Sequence, residues 1–373
     1  MSVSMDEERL NELLYKLQKE QNYYLGYPNN HSFCYKSLAP FLNLVINNIG
    51  DPFVGNLGLN TCEIEREVIL KFANWVNNDD PWGYVTNGSS ESNLKALDIA
   101  QKKYPDGVVL CSQATHYSIA KACKMLQLKC ITIDQQPNGE ISYTHLFQVA
   151  KSLKRYPLII CANIGTTMTG AIDRISMIEK IMTDQGIENY HLHCDAAHFG
   201  GYLPFLGEGG LFDFRNNIHT MSVSGHKFLG SPIPCGIFLT KTSLLNEILH
   251  PHIEYTGSPD NTISGSRNGL TPLILYQAFQ RWGEVGYKEL AQDMFQLRDY
   301  AVRKLETISW PCWSNVLSNT VVIRRPDEEL VRKWKLAVEE DIAHIITVPG
   351  VTEERIDVFV EDLLRSHNLD KAV

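Results

Sequence analysis

Two features of the chain predict an α/β fold with a large, mainly parallel sheet covered by helices and a smaller α+β domain at the C-terminus. From about residue 83 to 240, short apolar runs alternate with longer stretches of helical period. After about residue 275 that alternation gives way to one long polar helix pattern followed by mixed short elements. At 373 residues the chain has room for two to three units of roughly 150 residues each. The expected division is an N-terminal helix and extended segment over 1–50, a large domain over 51–275 and a small domain over 276–373.

Leu10, Leu13, Leu14 and Leu17 follow the i, i+3, i+4, i+7 spacing of one helical face, and Asp6, Glu7 and Glu8 stand at its favourable N-terminal end. That apolar face needs a partner. The stretch up to residue 50 is rich in Asn, Pro and aromatic residues and reads as an irregular connection. Expected strands in the large domain are Gly107 to Ser112, Leu128 to Asp134, Leu158 to Ile164, His191 to Ala197, His219 to Ser224 and Gly236 to Thr240. Helices are expected at Asn93 to Tyr104, Ser118 to Gln127 and Ile175 to Gln185. The C-terminal part reads as helix Leu275 to Leu305, strand Thr320 to Arg324, helix Glu328 to Ala337, strand Ala343 to Val348 and helix Glu353 to Arg365. Ligands of such parallel sheets bind at the carboxyl ends of the strands.

Composition excludes several classes. The formal charge of −9 argues against a general nucleic-acid binder. No apolar run approaches the roughly 18 residues of a membrane span and no signal-peptide pattern opens the chain, so a cytoplasmic protein is expected. The nine cysteines include no C-x-x-C pair and read as reduced core residues.

The strongest chemical signal is Ser222-Val223-Ser224-Gly225-His226-Lys227, which puts a lysine just past a strand in a turn of small residues. A lysine held there loses its proton more easily and can form a Schiff base with an aldehyde; the alternative is a surface lysine in a turn. His191-Leu192-His193-Cys194-Asp195 places two histidines and a carboxylate on one face of a strand. That triplet fits a metal-dependent hydrolase, although no further ligand cluster accompanies it. The favoured reading is a carboxylate, Asp195, holding a pyridinium nitrogen protonated, with Ala196 and Ala197 letting a flat ring lie close. Gly83 to Asn93 runs into a helix through Ser89 and Ser90, which suits a phosphate at a helix N-terminus or a simple N-cap. His116 follows another strand end and is either packed or stacked on a ligand ring. Taken in order along one sheet edge, anion loop, aromatic histidine, carboxylate and lysine describe a site for pyridoxal phosphate.

The motifs Trp82-Gly83-Tyr84-Val85-Thr86-Asn87-Gly88, Thr115-His116-Tyr117-Ser118, Asn163-Ile164-Gly165-Thr166-Thr167, Ser222 to Lys227, Gly230 to Gly236 and Ile263 to Gly269 resemble those of the group II pyridoxal-phosphate amino acid decarboxylases. The likeness extends from about Gly26 to the C-terminus and is strongest to bacterial histidine decarboxylases and plant serine decarboxylases. It implies the type I fold of pyridoxal-phosphate enzymes and the release of carbon dioxide from an L-amino acid. Lys227 would carry the cofactor, Asp195 would pair with the ring nitrogen, and His116 would stack on the ring with Ala197 beneath. Ser89, Ser90 and His226 would contact phosphate, with Ser224 and Thr166 as further cofactor contacts.

Tyr255 would donate a proton, and Ser266, Arg267 and His198 would meet substrate or a partner subunit. An obligate homodimer is implied, with the N-terminal segment packed across it. His198, Leu270 and the Ser89 to Asn93 loop depart from the usual pattern near the pocket. They bear on which substrate is used: histidine first, then serine or another small polar amino acid. A cofactor-binding homologue that no longer decarboxylates is the remaining alternative.

Overall fold

The computed structural model describes residues 2–55, 58–247 and 252–370. The chain forms two compact units, Asn29–Gln292 and Met1–Pro28 together with Asp293–Val373. Their borders lie away from the expected divisions at 50 and 275, because the first 28 residues join the C-terminal segment rather than standing alone.

Helix α1 (Ser2–Gln21) opens the chain, and strand β1 (Asn47–Ile49) and helix α2 (Cys62–Trp75) follow it. Next come β2 (Pro81–Thr86), α3 (Ser89–Lys103), β3 (Val108–Ser112), α4 (Tyr117–Met125), β4 (Lys129–Ile133) and α5 (Tyr143–Leu153). The series continues through β5 (Leu158–Asn163), α6 (Ile175–Gln185), β6 (Tyr190–Asp195), β7 (Thr220–Ser224) and β8 (Gly236–Lys241).

These strands build one seven-stranded sheet in the order β2-β8-β7-β6-β5-β3-β4. Neighbours from β7 to β4 pair in parallel, whereas β8 runs antiparallel to both β7 and β2. All six expected strands are present. The seventh, β2, lies inside the stretch read only as an anion loop. Strands β3, β5 and β7 are buried along their whole length, which is why they read as unbroken apolar or small-residue runs, while the edge strand β4 is largely exposed.

Two turns of backbone fix the frame around the sheet edge. Gly83 in β2 lies so close to β8 that a Cβ there would stand 2.1 Å from the Phe238 carbonyl oxygen. A Cβ on Gly236 would stand 2.9 Å from the backbone at Gly88 and Ser89, so the start of α3 rests directly on β8.

Strand β9 (His252–Ile253) pairs with β10 (Ser258–Pro259), and β1 pairs with β11 (Ser266–Asn268). Helix α7 (Thr242–Asn246) is short, and α8 (Leu270–Thr307) is interrupted at Gly283, where φ is 54°.

The second unit carries β12 (Cys312–Trp313), β13 (Thr320–Arg324), α9 (Glu328–Lys333), β14 (Ala337–Glu339), β15 (Ile342–Ile346) and α10 (Glu353–Asp370). Its sheet order is β12-β13-β15-β14, and Leu25, Val321, Trp334, Ile345 and Phe359 belong to its core. The helix expected to reach Ala337 stops at Lys333. Asp327 caps its start by accepting from Leu330 N at 2.9 Å, but Lys335 adopts φ 51°, a left-handed conformation that ends the helix and turns the chain into β14.

Six cysteines are buried as expected; Cys34 and Cys130 are exposed and Cys312 is half-buried. Cys130 stands on the uncovered edge strand, which explains its exposure. Among the described residues no helix is long and apolar enough to cross a membrane.

Candidate functional site

Register along the sheet sets the floor of the site. Asn163 of β5 pairs with Asp195 of β6, which pairs with Ser222 of β7, so three polar residues stand abreast at the carboxyl edge. That edge, the turn before α4 and the start of α3 enclose a cavity of about 500 Å³. Every residue expected from the sequence to touch the cofactor lies in its wall: Ser89, Ser90, His116, Thr166, Asp195, Ala197, Ser224, His226 and Lys227. Asn87, Glu91, Asn93, Asn163, Thr167 and Tyr117 share the wall without having been singled out.

One end of the cavity suits an anion. Helix α3 starts at Ser89 after Gly88, whose φ of 151° few side-chain-bearing residues adopt and which has no side chain to cap the helix. The helix therefore presents its positive end to the cavity. Ser89 Oγ and Ser224 Oγ meet at 2.8 Å, tying the helix start to the end of β7. Glu91 folds back to accept from Asn87 N at 3.0 Å and Asn87 Nδ2 at 2.7 Å, which fixes the loop. His226 Nδ1 donates to the Cys235 carbonyl at 2.9 Å, and burial, reinforced by neighbouring Lys227, lowers its pKa. Thr166 is buried, and its Oγ1 accepts from Ala171 N at 2.8 Å, which shapes the loop after β5.

The same wall carries the remaining ionisable groups. Asp195 is buried and accepts from Asn93 Nδ2 at 2.8 Å and from Ala197 N at 3.2 Å, with Ser222 Oγ 3.3 Å away. Burial lowers the Lys227 pKa while the Asp195 charge opposes the shift, so the amine is released from its proton more readily than a surface lysine. Burial likewise lowers His116, with Asp195 raising and Lys227 lowering it further. The ring of His116 is held at Nδ1 by Ser118 N at 3.3 Å and Ser118 Oγ at 2.8 Å, with the Tyr117 ring 4.3 Å away.

A readily deprotonated amine, a buried carboxylate, an imidazole and a helix N-terminus around one cavity are the groups that an aldehyde on a phosphorylated pyridine ring requires. The residues present fit that cofactor.

Four expected contacts lie elsewhere. Tyr255 is 83% exposed and outside the cavity wall. Ser266 is on the exposed side of β11, its Oγ accepting from Asn47 Nδ2 at 3.1 Å. Arg267 is buried: it pairs with buried Glu65 at 2.9 Å, donates to the Gly50 carbonyl at 2.7 Å and lies 5.3 Å from the centre of the Tyr84 ring. Its guanidinium is thus engaged inside its own chain. His198 is buried against Phe199, ring centres 4.6 Å apart.

The metal reading fares no better. His193 spends both ring nitrogens, on Thr220 Oγ1 at 3.0 Å and Asn93 Oδ1 at 2.9 Å. Among the described residues no group of three His, Cys, Asp or Glu is arranged to hold a metal ion.

The pyridoxal-dependent decarboxylase conserved domain matches residues 69–309. Serine decarboxylase 2 of Oryza sativa subsp. japonica is 42% identical over 353 residues, covering 93% of this chain and 75% of that protein. The histidine decarboxylase of Morganella morganii is 38% identical over 379 residues and covers all of both. Among solved structures, L-methionine decarboxylase from Streptomyces sp. 590 superimposes with a TM-score of 0.88 at 24% identity, over 95% of this chain and 94% of that one. Lactobacillus brevis glutamate decarboxylase gives 0.80 at 17% identity, over 98% and 93%. These structural likenesses bear on the fold, which is that of pyridoxal-phosphate decarboxylases.

Proposed function

The chain belongs to the pyridoxal-dependent decarboxylases, and from that premise we propose that its substrate is L-histidine and its products histamine and carbon dioxide. The enzyme is a pyridoxal-phosphate-dependent amino acid decarboxylase; what is proposed is its substrate, the roles of its residues and its assembly. Histidine decarboxylases align to 96–100% of this chain at 37–38% identity, against 91–93% for the serine decarboxylases, and that broader match supports the choice of substrate. The higher identity to a rice serine decarboxylase, a longer protein, favours L-serine to ethanolamine as the second reading.

When bound, pyridoxal phosphate supplies an electron sink for the pair left behind by departing carbon dioxide. Lys227 would hold the cofactor covalently, and its lowered pKa leaves the amine more readily deprotonated than a surface lysine. Asp195 would hold a positive charge on the ring nitrogen of the bound cofactor, and His116 and Ala197 would line its ring. The start of α3, with Ser89 and Ser90, takes the phosphate. The protein's contribution is orientation and fixed charge.

A homodimer accounts for what the single chain leaves uncovered. Leu10, Leu13, Leu14 and Leu17, one face of α1, are all about half exposed or more, as are Leu42, Leu44 and Val45 after it. Exposed Tyr255 and Ser266 would then meet the second copy, where Tyr255 is the candidate proton donor.

The test is amine release from each of the twenty amino acids by cofactor-loaded enzyme, with kcat/KM measured for histidine and serine. A higher value for histidine is expected. A higher value for serine replaces the first reading with the second, and release from neither, with cofactor bound, removes both.

A further inference from the structure

We propose that Asn93 is the positioning residue that orients both Asp195 and, through Ser118, His116; the inference rests on the cofactor reading above.

Asn93 is 1% exposed, and its amide is filled to capacity. Nδ2 donates one hydrogen to Asp195 Oδ2 at 2.8 Å and the other to Ser118 Oγ at 2.9 Å. Oδ1 accepts from Ser222 Oγ at 2.6 Å and from His193 Nε2 at 2.9 Å. An amide has donors only on nitrogen and acceptors only on oxygen, so this side chain cannot be turned over without setting its oxygen against the Asp195 carboxylate.

Every neighbouring proton then has one allowed place. His193 carries its hydrogen on Nε2, which leaves Nδ1 to accept from the Thr220 hydroxyl at 3.0 Å. Thr220 Oγ1 in turn accepts from His191 Nε2 at 2.9 Å. On the other arm the Ser118 backbone N–H donates to His116 Nδ1 at 3.3 Å, which makes that nitrogen an acceptor, and the Ser118 hydroxyl, held by Asn93, turns its hydrogen to the same nitrogen at 2.8 Å. The neutral His116 ring is therefore protonated on Nε2.

One directed chain thus runs from His191 through Thr220 and His193 to Asn93, where it divides toward Asp195 and His116. Burial lowers His193 to about 4, which keeps it neutral and the direction unchanged through the physiological range. Donation from Asn93 Nδ2 fixes where the Asp195 carboxylate points.

The test uses wild-type, Asn93→Ala and Asn93→Asp enzymes, each checked for folding by circular dichroism. Cofactor dissociation and the visible band of bound pyridoxal phosphate are followed from pH 5.5 to 8.5. Asn93→Ala should lose cofactor about tenfold more readily across that range. In Asn93→Asp the new carboxyl and Asp195 can share one proton at acid pH, imitating the amide, and repel each other once it is lost. Its cofactor retention should approach wild type at low pH and fall at least about tenfold as pH rises.

Retention within twofold of wild type in both variants, or an Asn93→Asp variant no more pH-dependent than Asn93→Ala, overturns the proposal. Ser118→Ala gives an independent check should those variants unfold: the pH profile of kcat should move while cofactor retention stays within twofold, and an unmoved profile counts against the proposal. A wild-type enzyme with no visible band overturns the cofactor reading and this inference together, whereas a normal wild-type band with unchanged variants overturns this inference alone.

Discussion

A lysine amine in the wall of a cavity, beside a buried carboxylate, is costly to keep charged, and that cost is what would make Lys227 reactive in its proposed role. Lys227→Ala should abolish the visible absorbance of bound cofactor and reduce amine release by at least about a thousandfold; retention of either removes its assignment. A second set of residues makes stability sensitive to acid. Burial pulls His191, His193 and His219 below their ordinary value, the last two to about 4. In the unfolded chain each takes up a proton near pH 6.5. The unfolded state therefore binds more protons than the native one between about pH 6.5 and 4, and stability falls as pH drops through that window. The loss is up to about 1.4 kcal/mol per pH unit for each such histidine. His219→Asn, which can still accept from Leu192 N as Nδ1 now does at 3.1 Å, should flatten the acid limb of a urea-midpoint profile. An unchanged limb would mean that His219 titrates normally in the folded protein.

Among the elements, α2 is fastened to β2 and β11 by one buried carboxylate. Glu65 accepts from Arg267 of β11, from Asn48 Nδ2 at 2.8 Å and from Val85 N of β2 at 2.9 Å. Removing one member of a buried ion pair strands the other, at a cost of about 3–5 kcal/mol. Arg267→Met should thus destabilise the protein by that order in equilibrium unfolding, and the Glu65→Leu/Arg267→Met double variant should recover a large part of it. Equal losses in the single and double variants would show that the pair holds nothing together. The same anchoring explains why Arg267 is unavailable to a substrate in its own chain, although its neighbours in sequence suggested that role.

For the molecule as a whole, the uncovered leucines of α1 set the expectation. A stripe of four leucines at helical spacing is stable in water only when something lies on it. Charged substitutions Leu13→Glu and Leu17→Glu together should convert the proposed dimer to a monomer in sedimentation velocity, with activity lost in parallel. A variant that stays dimeric and active would place the dimer contact elsewhere.

Sequence by itself determined the sheet, its helices and the chemistry, because a parallel sheet writes its strands as apolar runs and leaves its reactive residues in the turns just beyond them. Lys227, Asp195, His116 and Ser89 were each ambiguous alone and were read as one site from their order along the sheet edge, and the structure brings all four into the wall of one cavity. Tertiary structure alone decided which polar residues support them. Nothing in the sequence around Asn93 sets it apart from an ordinary first-turn residue, and Glu65 reads as one more charge on a helix. Their roles arise from partners 102 and 202 positions away along the chain. Hydrogen bonds of such span follow from sheet register and from the seating of α3 and α2, and local pattern carries no record of either.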